Sequence, residues 1–219
     1  MARPSWIERF LFARPSLYGV KRFLIEDVLW RGLLSGVFRM RAHPMPDGAA
    51  LFRARDVLVA ACGPGSPLTG PPVEGCARVT AFDRSPEFAA RCARRRPDWQ
   101  VYCGDLQSIP HADDRFEVSV LYSTLHHLPF DAGLALRELA RVTRERIVVV
   151  EGVVPPRGLL RAALLSWYRL VDGGHHYYTL PELEGVCREL QLPIESQGLH
   201  SPIRHMWLAV LDCRGRREV

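Results

Sequence analysis

Small and acidic residues follow three short apolar runs in the first half of this sequence. Gly63 and Gly65 come after the first run, Asp83 follows the second, and Asp105 and Leu106 follow the third. Glycine lets a backbone approach a ligand closely because it has no Cβ. An acid about 20 residues beyond a glycine loop can accept both hydroxyls of a ribose. Asp105 could accept a hydrogen bond from an exocyclic amine while Leu106 packs on the adenine face, so the set describes an adenosine pocket.

Three kinds of adenosine ligand make different demands on such a loop. The dinucleotide fingerprint requires a third glycine, but Leu68 stands at that position. The ATP-binding P-loop requires Gly-Lys-Ser/Thr, which does not occur in the sequence. S-adenosylmethionine has no pyrophosphate to cradle, so the missing third glycine does not exclude it.

Histidines follow the fourth apolar run and recur later in the chain. His126 and His127 come shortly after Tyr122, and His175 opens a stretch of histidines and tyrosines. A histidine can act as a general base near neutral pH. The alternative is structural: one histidine packs beneath the cofactor, and the stretch at His175 is a turn that packs on its neighbours. Glu151 ends the fifth run, where it could orient an acceptor or simply end a strand.

The elements that must position these residues alternate from Asp56 onward between apolar runs and helical stretches. Such alternation is typical of a parallel sheet covered on both faces. In an open parallel sheet, ligands bind beyond the carboxyl ends of the strands, which is where the residues above lie. We expect strands at Val57–Ala61, Val79–Phe82, Gln100–Cys103, Phe116–Leu121 and Arg146–Val150, and helices at Pro86–Arg95 and Asp131–Thr143.

Both ends of the chain carry further elements. The pattern predicts a helix near Gly158–Val171, a second helix capped by Thr179 and Glu182, and an antiparallel strand pair within residues 193–213. Residues 1–46 are expected to form an N-terminal helical cap, with residues 47–219 as the ligand-binding domain. The apolar stripe of this cap favours a lid over the substrate, although weak contact with a membrane surface is the alternative.

Val57–Leu128 resembles the core of the class I S-adenosylmethionine-dependent methyltransferases, and within them the ubiquinone/menaquinone-biosynthesis type. The stretch beginning Gly104-Asp-Leu is similar to the family's Gly-Asp…Leu-Pro-Phe…Phe-Asp…Leu-His-His segment nearly residue by residue. Three pieces carry the likeness: Gly104–Leu128, Leu136–Val142 and His175–Leu183. The resemblance implies an α/β fold with a Rossmann-like, seven-stranded, mostly parallel sheet, helices on both faces and an antiparallel final strand pair.

The resemblance also implies S-adenosylmethionine as the cofactor and a role for each matching residue. The glycine loop would line the methionine end, Asp83 would bind the ribose hydroxyls, and Asp105 with Leu106 would meet the adenine. Backbone near Tyr122 would hold the amino group of the cofactor. The expected cofactor site comprises Ala61, Cys62, Gly63, Gly65, Asp83, Arg84, Asp105, Leu106 and Tyr122.

Three departures from the family pattern bear on cofactor binding. The family usually has an acid at the position of Val59 and a glycine at the position of Ala61. Prolines between Pro67 and Pro72 fall where a helix normally follows the loop, and proline inside a helix costs about 3 kcal/mol. A positive φ at Ala61 would add strain on the order of 1 kcal/mol. These changes weaken the loop without abolishing it.

Composition, net charge and cysteine spacing argue against several other classes of protein. The 219 residues are 47% hydrophobic and 24% charged, as is usual for a globular domain, and no apolar run is long enough to cross a bilayer. The net charge of +5 comes from scattered arginines, so we do not expect nucleic-acid binding. The six cysteines form no CxxC pair or other metal-ligand spacing, which favours free thiols in a reducing cytoplasm and no metal site.

We therefore expect methyl transfer from S-adenosylmethionine to a small, largely apolar or aromatic metabolite. An oxygen or carbon acceptor would need deprotonation, for which His126, His127 and His175 are the candidates. A nitrogen acceptor would need only its lone pair. The alternatives are a relative with impaired cofactor binding, acting as a partner subunit or in another reaction, and an RNA methyltransferase. Against the RNA methyltransferase, the sequence has no Asn-Pro-Pro-Tyr-type motif.

Overall fold

The structure of the chain is a computed structural model that describes residues 48–65, 75–128, 131–171, 174–200 and 206–215. The predicted cap at residues 1–46 and the proline-rich segment at 67–72 lie outside the described residues. Both expectations, and the division of the chain at residue 47, therefore stay predictions.

Strands and helices alternate in the described chain much as the sequence pattern predicts. The strands are β1 Asp56–Ala60, β2 Arg78–Asp83, β3 Gln100–Cys103, β4 Phe116–Tyr122, β5 Thr143–Gly152, β6 Ile194–His200 and β7 Met206–Asp212. The helices are α1 Gly48–Phe52, α2 Pro86–Arg95, α3 Ala132–Val142, α4 Leu159–Val171 and α5 Leu180–Glu189, with a 3₁₀ turn, η1, at Leu125–His127.

The strands form one seven-stranded sheet in the order β3-β2-β1-β4-β5-β7-β6. The first five strands of this order are parallel to one another, whereas β7 is antiparallel to both β5 and β6. The predicted mostly parallel sheet with an antiparallel final pair is confirmed. β5 is longer than predicted because Thr143 pairs with Phe116 of β4 before the apolar run, and Glu151 and Gly152 pair with β7 after it.

Alternate residues of β1 face opposite sides of the sheet, as strand geometry requires. Leu58 and Ala60 lie in the larger apolar cluster, to which α3 and α5 contribute Leu136 and Leu183. The residues that alternate with them lie in a second cluster on the other side, together with Phe52 of α1: Val57 and Val59. Helices therefore cover both faces, and this burial holds β1 and its carboxyl end rigidly in the middle of the sheet.

Polar side chains cap the helices at the positions that the sequence indicates. Ser85 accepts a hydrogen bond from the backbone N–H of Phe88 at 3.2 Å, with Pro86 at the start of α2. Thr179 and Glu182 form a reciprocal capping box at the start of α5. These caps satisfy backbone N–H groups that the first helical turn leaves without partners.

Candidate functional site

The carboxyl ends of β1, β2 and β3 are joined by direct hydrogen bonds. The backbone N–H of Cys62 donates to the carbonyl of Phe82 at 2.9 Å, and the N–H of Gly104 donates to the carbonyl of Asp83 at 3.1 Å. The N–H of Gly63 donates to Oδ2 of the Asp83 carboxylate at 2.9 Å. The glycine loop, Asp83 and the Gly104-Asp105 turn thus lie together at one edge of the sheet, as the sequence predicts.

Asp83 is the polar centre of this edge and is only 9% exposed. Its Oδ1 accepts a second backbone hydrogen bond, from Ser85 at 2.9 Å. Burial raises the pKa of Asp83, and the N–H groups of Ser85 and Gly63 oppose that rise. Each carboxylate oxygen has more than one lone pair, so an ionised Asp83 keeps the capacity to accept hydrogen bonds from two vicinal hydroxyls.

The glycine loop has left-handed backbone at three of its residues. Ala61, Gly63 and Gly65 have φ values of 51°, 56° and 67°. A Cβ at Gly65 would lie 2.9 Å from Sγ of Cys92 in α2, whereas a Cβ at Gly63 would meet no atom of the described residues within 4 Å. Gly65 therefore packs the loop against α2, and the part of the chain that the structure describes leaves space beside Gly63. The positive φ at Ala61 brings the strain expected of a non-glycine residue there.

Cys62 is not arranged as a nucleophile. A hydrogen bond to the Cys92 thiol and burial raise the pKa of Cys62 far above its usual value, so its thiolate is disfavoured. Val59, where the family pattern usually has an acid, is 3% exposed within the second apolar cluster. Apolar packing therefore replaces the family's usual acid at position 59, while the Asp83 carboxylate and the Arg95 guanidinium hold the loop by hydrogen bonds to Gly63 and Pro64.

The remaining predicted cofactor residues lie around the same edge. Asp105 is half-buried, and its Oδ1 accepts a hydrogen bond from the N–H of Gln107 at 2.9 Å. Leu106 is 5% exposed and belongs to the larger apolar cluster. Arg84 is exposed next to Asp83, and Tyr122 is the last residue of β4. The structure brings these residues to the sheet edge, and their contact with a cofactor stays a prediction.

A buried carboxylate, that of Glu151, organises the loop after β4. The sequence left open whether this residue orients an acceptor or ends a strand. Glu151 is 0% exposed at the carboxyl end of β5. Its Oε2 accepts hydrogen bonds from the backbone N–H of Thr124 at 3.0 Å and of Leu125 at 2.7 Å. Its Oε1 accepts from the N–H of Gly152 at 2.9 Å and is hydrogen-bonded to Nδ1 of His126. The sequence offers one signal for this contact: β4 and β5 are expected to be neighbouring strands, which places their carboxyl ends side by side.

The three candidate catalytic histidines lie in one cluster. His126 is 4% exposed, and its ring lies 4.1 Å from that of His127 between centroids. The carbonyl of His126 accepts hydrogen bonds from the N–H of His175 at 2.7 Å and of His176 at 3.2 Å. His127 and His175 are half-buried, so they are more accessible than His126.

The segment 174–178 joins this cluster to α4. The Tyr177 ring stacks between the rings of His126, at 5.5 Å, and Tyr168 of α4, at 5.0 Å between centroids. The Tyr177 hydroxyl accepts a hydrogen bond from the N–H of Gly174 at 2.8 Å and donates to the carbonyl of Tyr168 at 3.1 Å. A helix that follows β5 is thereby tied to the loop that follows β4.

Comparison with known proteins relates this domain to the methyltransferases. Residues 58–149, fewer than half of the 219 residues, match the family model described as a methyltransferase domain. Among curated proteins, none matches the chain significantly. The matched residues are therefore similar to methyltransferase domains, and this similarity supports S-adenosylmethionine as the cofactor. The narrower ubiquinone/menaquinone type stays a prediction.

Solved structures share the fold at low sequence identity. The YcgJ protein from Bacillus subtilis is 24% identical, with a TM-score of 0.56, and the match covers 67% of this chain and 65% of that one. Geranyl diphosphate C-methyltransferase from Streptomyces coelicolor is 14% identical over 72% of each chain, with a TM-score of 0.59. A putative methyltransferase of Haloferax volcanii, in complex with the Trm112 activator, is 15% identical with a TM-score of 0.65, over 97% of this chain and 99% of that one.

Two further observations concern the described residues alone. Within those ranges, no three His, Cys, Asp or Glu side chains are grouped so that they could hold a metal ion. None of the helices described above is long and apolar enough to span a membrane.

Proposed function

We propose that this protein transfers a methyl group from S-adenosylmethionine to a small, largely apolar or aromatic metabolite, with an oxygen or carbon acceptor. The observation that carries the proposal is the Asp83 carboxylate, hydrogen-bonded to the backbone of Gly63 at the shared edge of β1, β2 and β3. A reducing compartment such as the cytoplasm fits the six free cysteines.

The donor set at this edge fits an adenosyl group. Asp83 would accept hydrogen bonds from the two ribose hydroxyls, because it is an acceptor with lone pairs to spare. Asp105 would accept from the adenine amine, and the open side of Gly63 would let its backbone approach the methionine end. Leu106 would supply an apolar surface beside the adenine.

The cofactor supplies an electrophilic methyl group when bound, so the protein has mainly to align donor and acceptor. Removal of a proton from an oxygen or carbon acceptor is assigned to the histidine cluster. His127 and His175 suit that task best, because His126 is 4% exposed and hydrogen-bonded through Nδ1 to Glu151. The apolar acceptor is inferred from the apolar stripe of the N-terminal segment.

Calorimetric titration with S-adenosylhomocysteine, the demethylated product, tests the cofactor assignment. We expect wild-type protein to bind it, and Asp83→Asn to bind about 10-fold to 100-fold more weakly, as for a lost hydrogen bond to a charged group. Asp98→Asn, at an exposed turn before β3, is the matched control and should bind like wild type. Absence of wild-type binding at millimolar ligand would remove the methyltransferase function.

A second candidate is a methyltransferase-fold partner subunit with impaired cofactor binding. The apolar Val59 in β1 and the strained Ala61 directly after it favour this candidate, since both depart from the family pattern. The same titration separates the two candidates. Incubation with a labelled methyl donor and a metabolite extract, followed by mass identification of the labelled product, would name the acceptor.

A further inference from the structure

The complete burial of Glu151 is the feature of the site that most needs an explanation. A carboxylate that is 0% exposed is unfavourable unless hydrogen bonds replace its lost water. Glu151 accepts three such bonds from backbone N–H groups, those of Thr124, Leu125 and Gly152. An ionised carboxylate can only accept hydrogen bonds, so with Glu151 in that form Nδ1 of His126 is the donor in their contact.

The contacts continue from His126 to a second loop. Its carbonyl accepts the N–H groups of both His175 and His176. There is no space for a side chain at Gly174, because a Cβ there would lie 2.9 Å from Cδ2 and from the carbonyl oxygen of His126. Segment 174–176 is therefore seated directly on His126.

We propose that Glu151 is a positioning residue that orients His126 and, through it, holds segment 174–176 against the loop after β4. The part of this inference that concerns catalysis rests on the proposed function: Glu151 and His126 form the support, and His127 and His175 face the acceptor. The sequence makes all three histidines candidates for catalysis. Their burial separates them, since only His126 is almost completely enclosed.

Hydrogen exchange on the full chain without cofactor tests the support directly. In Glu151→Gln the neutral side chain is a poorer acceptor for four donors, so amides of 124–128 and 174–178 should exchange about ten-fold faster or more. Amides of α2 and β2 should keep their wild-type rates. Glu145→Gln, in the same strand but paired with Arg55, is the matched control and should leave both loops unchanged.

Two further measurements separate positioning from general stability. Ring ¹⁵N resonances of His126 should show Nδ1 protonated in wild type, lose that signature in Glu151→Gln, and regain it at least in part in Glu151→Asp. If Glu151→Gln fails to fold, Gly174→Ala decides the matter, because it displaces the segment while leaving Glu151 intact. It should speed exchange at 174–178 and spare 124–128.

Exchange that speeds equally throughout the chain would overturn the proposal, as would unchanged exchange at 174–178 in both Glu151→Gln and Gly174→Ala. Binding of S-adenosylhomocysteine is measured on the same samples. If the wild-type protein does not bind it, the methyltransferase function is contradicted. The exchange result would still decide whether Glu151 holds the two loops.

Discussion

Two glycines of the same loop, with nearly the same backbone conformation, have different tasks. At Gly65 the thiol of Cys92 occupies the space that a Cβ would need, whereas a Cβ at Gly63 would contact none of the residues in the described ranges. Both have positive φ, which any other residue adopts only with strain. Gly65 is therefore needed for packing, and Gly63 is the glycine available to a ligand.

Alanine substitutions should separate these two roles. Gly65→Ala combines strain with overlap and should lower the free energy of unfolding by about 2–4 kcal/mol. Gly63→Ala adds strain alone, about 1 kcal/mol, yet should weaken S-adenosylhomocysteine binding. Urea denaturation and calorimetry measure the two effects. Equal losses of stability in the two variants would contradict the packing role of Gly65.

At the scale of elements, α3 holds the long connection between β3 and β4 in place. Arg141 of α3 donates hydrogen bonds to the carbonyls of Ile109 and His111, each at 2.9 Å. It also pairs with Glu138, whose Oε1 accepts the N–H of Ile109 at 2.8 Å. The connection begins at the Gly104-Asp105 turn, so its attachment to α3 also steadies the edge where the adenine is proposed to lie.

The Glu138 contacts predict a dependence of stability on pH. The hydrogen bond from Arg141, followed by that from Ile109, lowers the pKa of Glu138 below its usual 4.5, against the effect of burial. Its contribution to stability is therefore full above about pH 4.5 and is lost as the pH falls through the lowered pKa. Glu138→Gln should be less stable than wild type at pH 7, and this difference should shrink below pH 4.

Urea denaturation from pH 3 to pH 7 measures that difference. Adding Arg141→Gln to Glu138→Gln should cost further stability, because Arg141 also donates to the carbonyls of Ile109 and His111. The loss in the double variant should still be smaller than the sum of the two single losses, because the single variants both remove the Glu138–Arg141 contact. A gap between wild type and Glu138→Gln that stays constant down to pH 3 would show that the ionised carboxylate is not the source of the stability.

At the scale of the whole molecule, the strand order decides which loops meet. The order β3-β2-β1-β4-β5 places the carboxyl ends of five parallel strands in a row, with β1 and β4 side by side at its centre. The strand order reverses direction between β1 and β4, which is the point where open parallel sheets bind ligands. The edge formed by Gly63, Asp83 and Gly104 and the histidine cluster therefore lie on opposite sides of that point.

A ligand that binds there should stabilise the whole fold. S-adenosylhomocysteine at 100 times its dissociation constant should add about 2.7 kcal/mol to the free energy of unfolding. For a domain of this size that raises the melting temperature by roughly 5–10 °C. Thermal melts with and without ligand measure the shift, which should be smaller in Asp83→Asn. An unchanged wild-type melting temperature at saturating ligand would contradict the assigned cofactor.

Local signals in the sequence were sufficient for most of the elements and for the contact between Gly63 and Asp83. Ser85 with Pro86 marks the start of α2, and the apolar run before Asp83 marks β2, because capping and strand burial depend on neighbouring residues. The spacing of Gly63 and Asp83 predicted that they would meet, since parallel strands bring their carboxyl ends together.

The role of Glu151 and the difference between the histidines depended on the tertiary structure. Glu151 receives its donors from a loop about 26 residues earlier in the chain, across the pairing of β4 with β5. His126 and His127 are adjacent in sequence, yet only His126 is enclosed by Glu151, Gly174 and Tyr177. Burial and hydrogen bonding of this kind arise from contacts between distant segments, which the order of residues along one segment does not record.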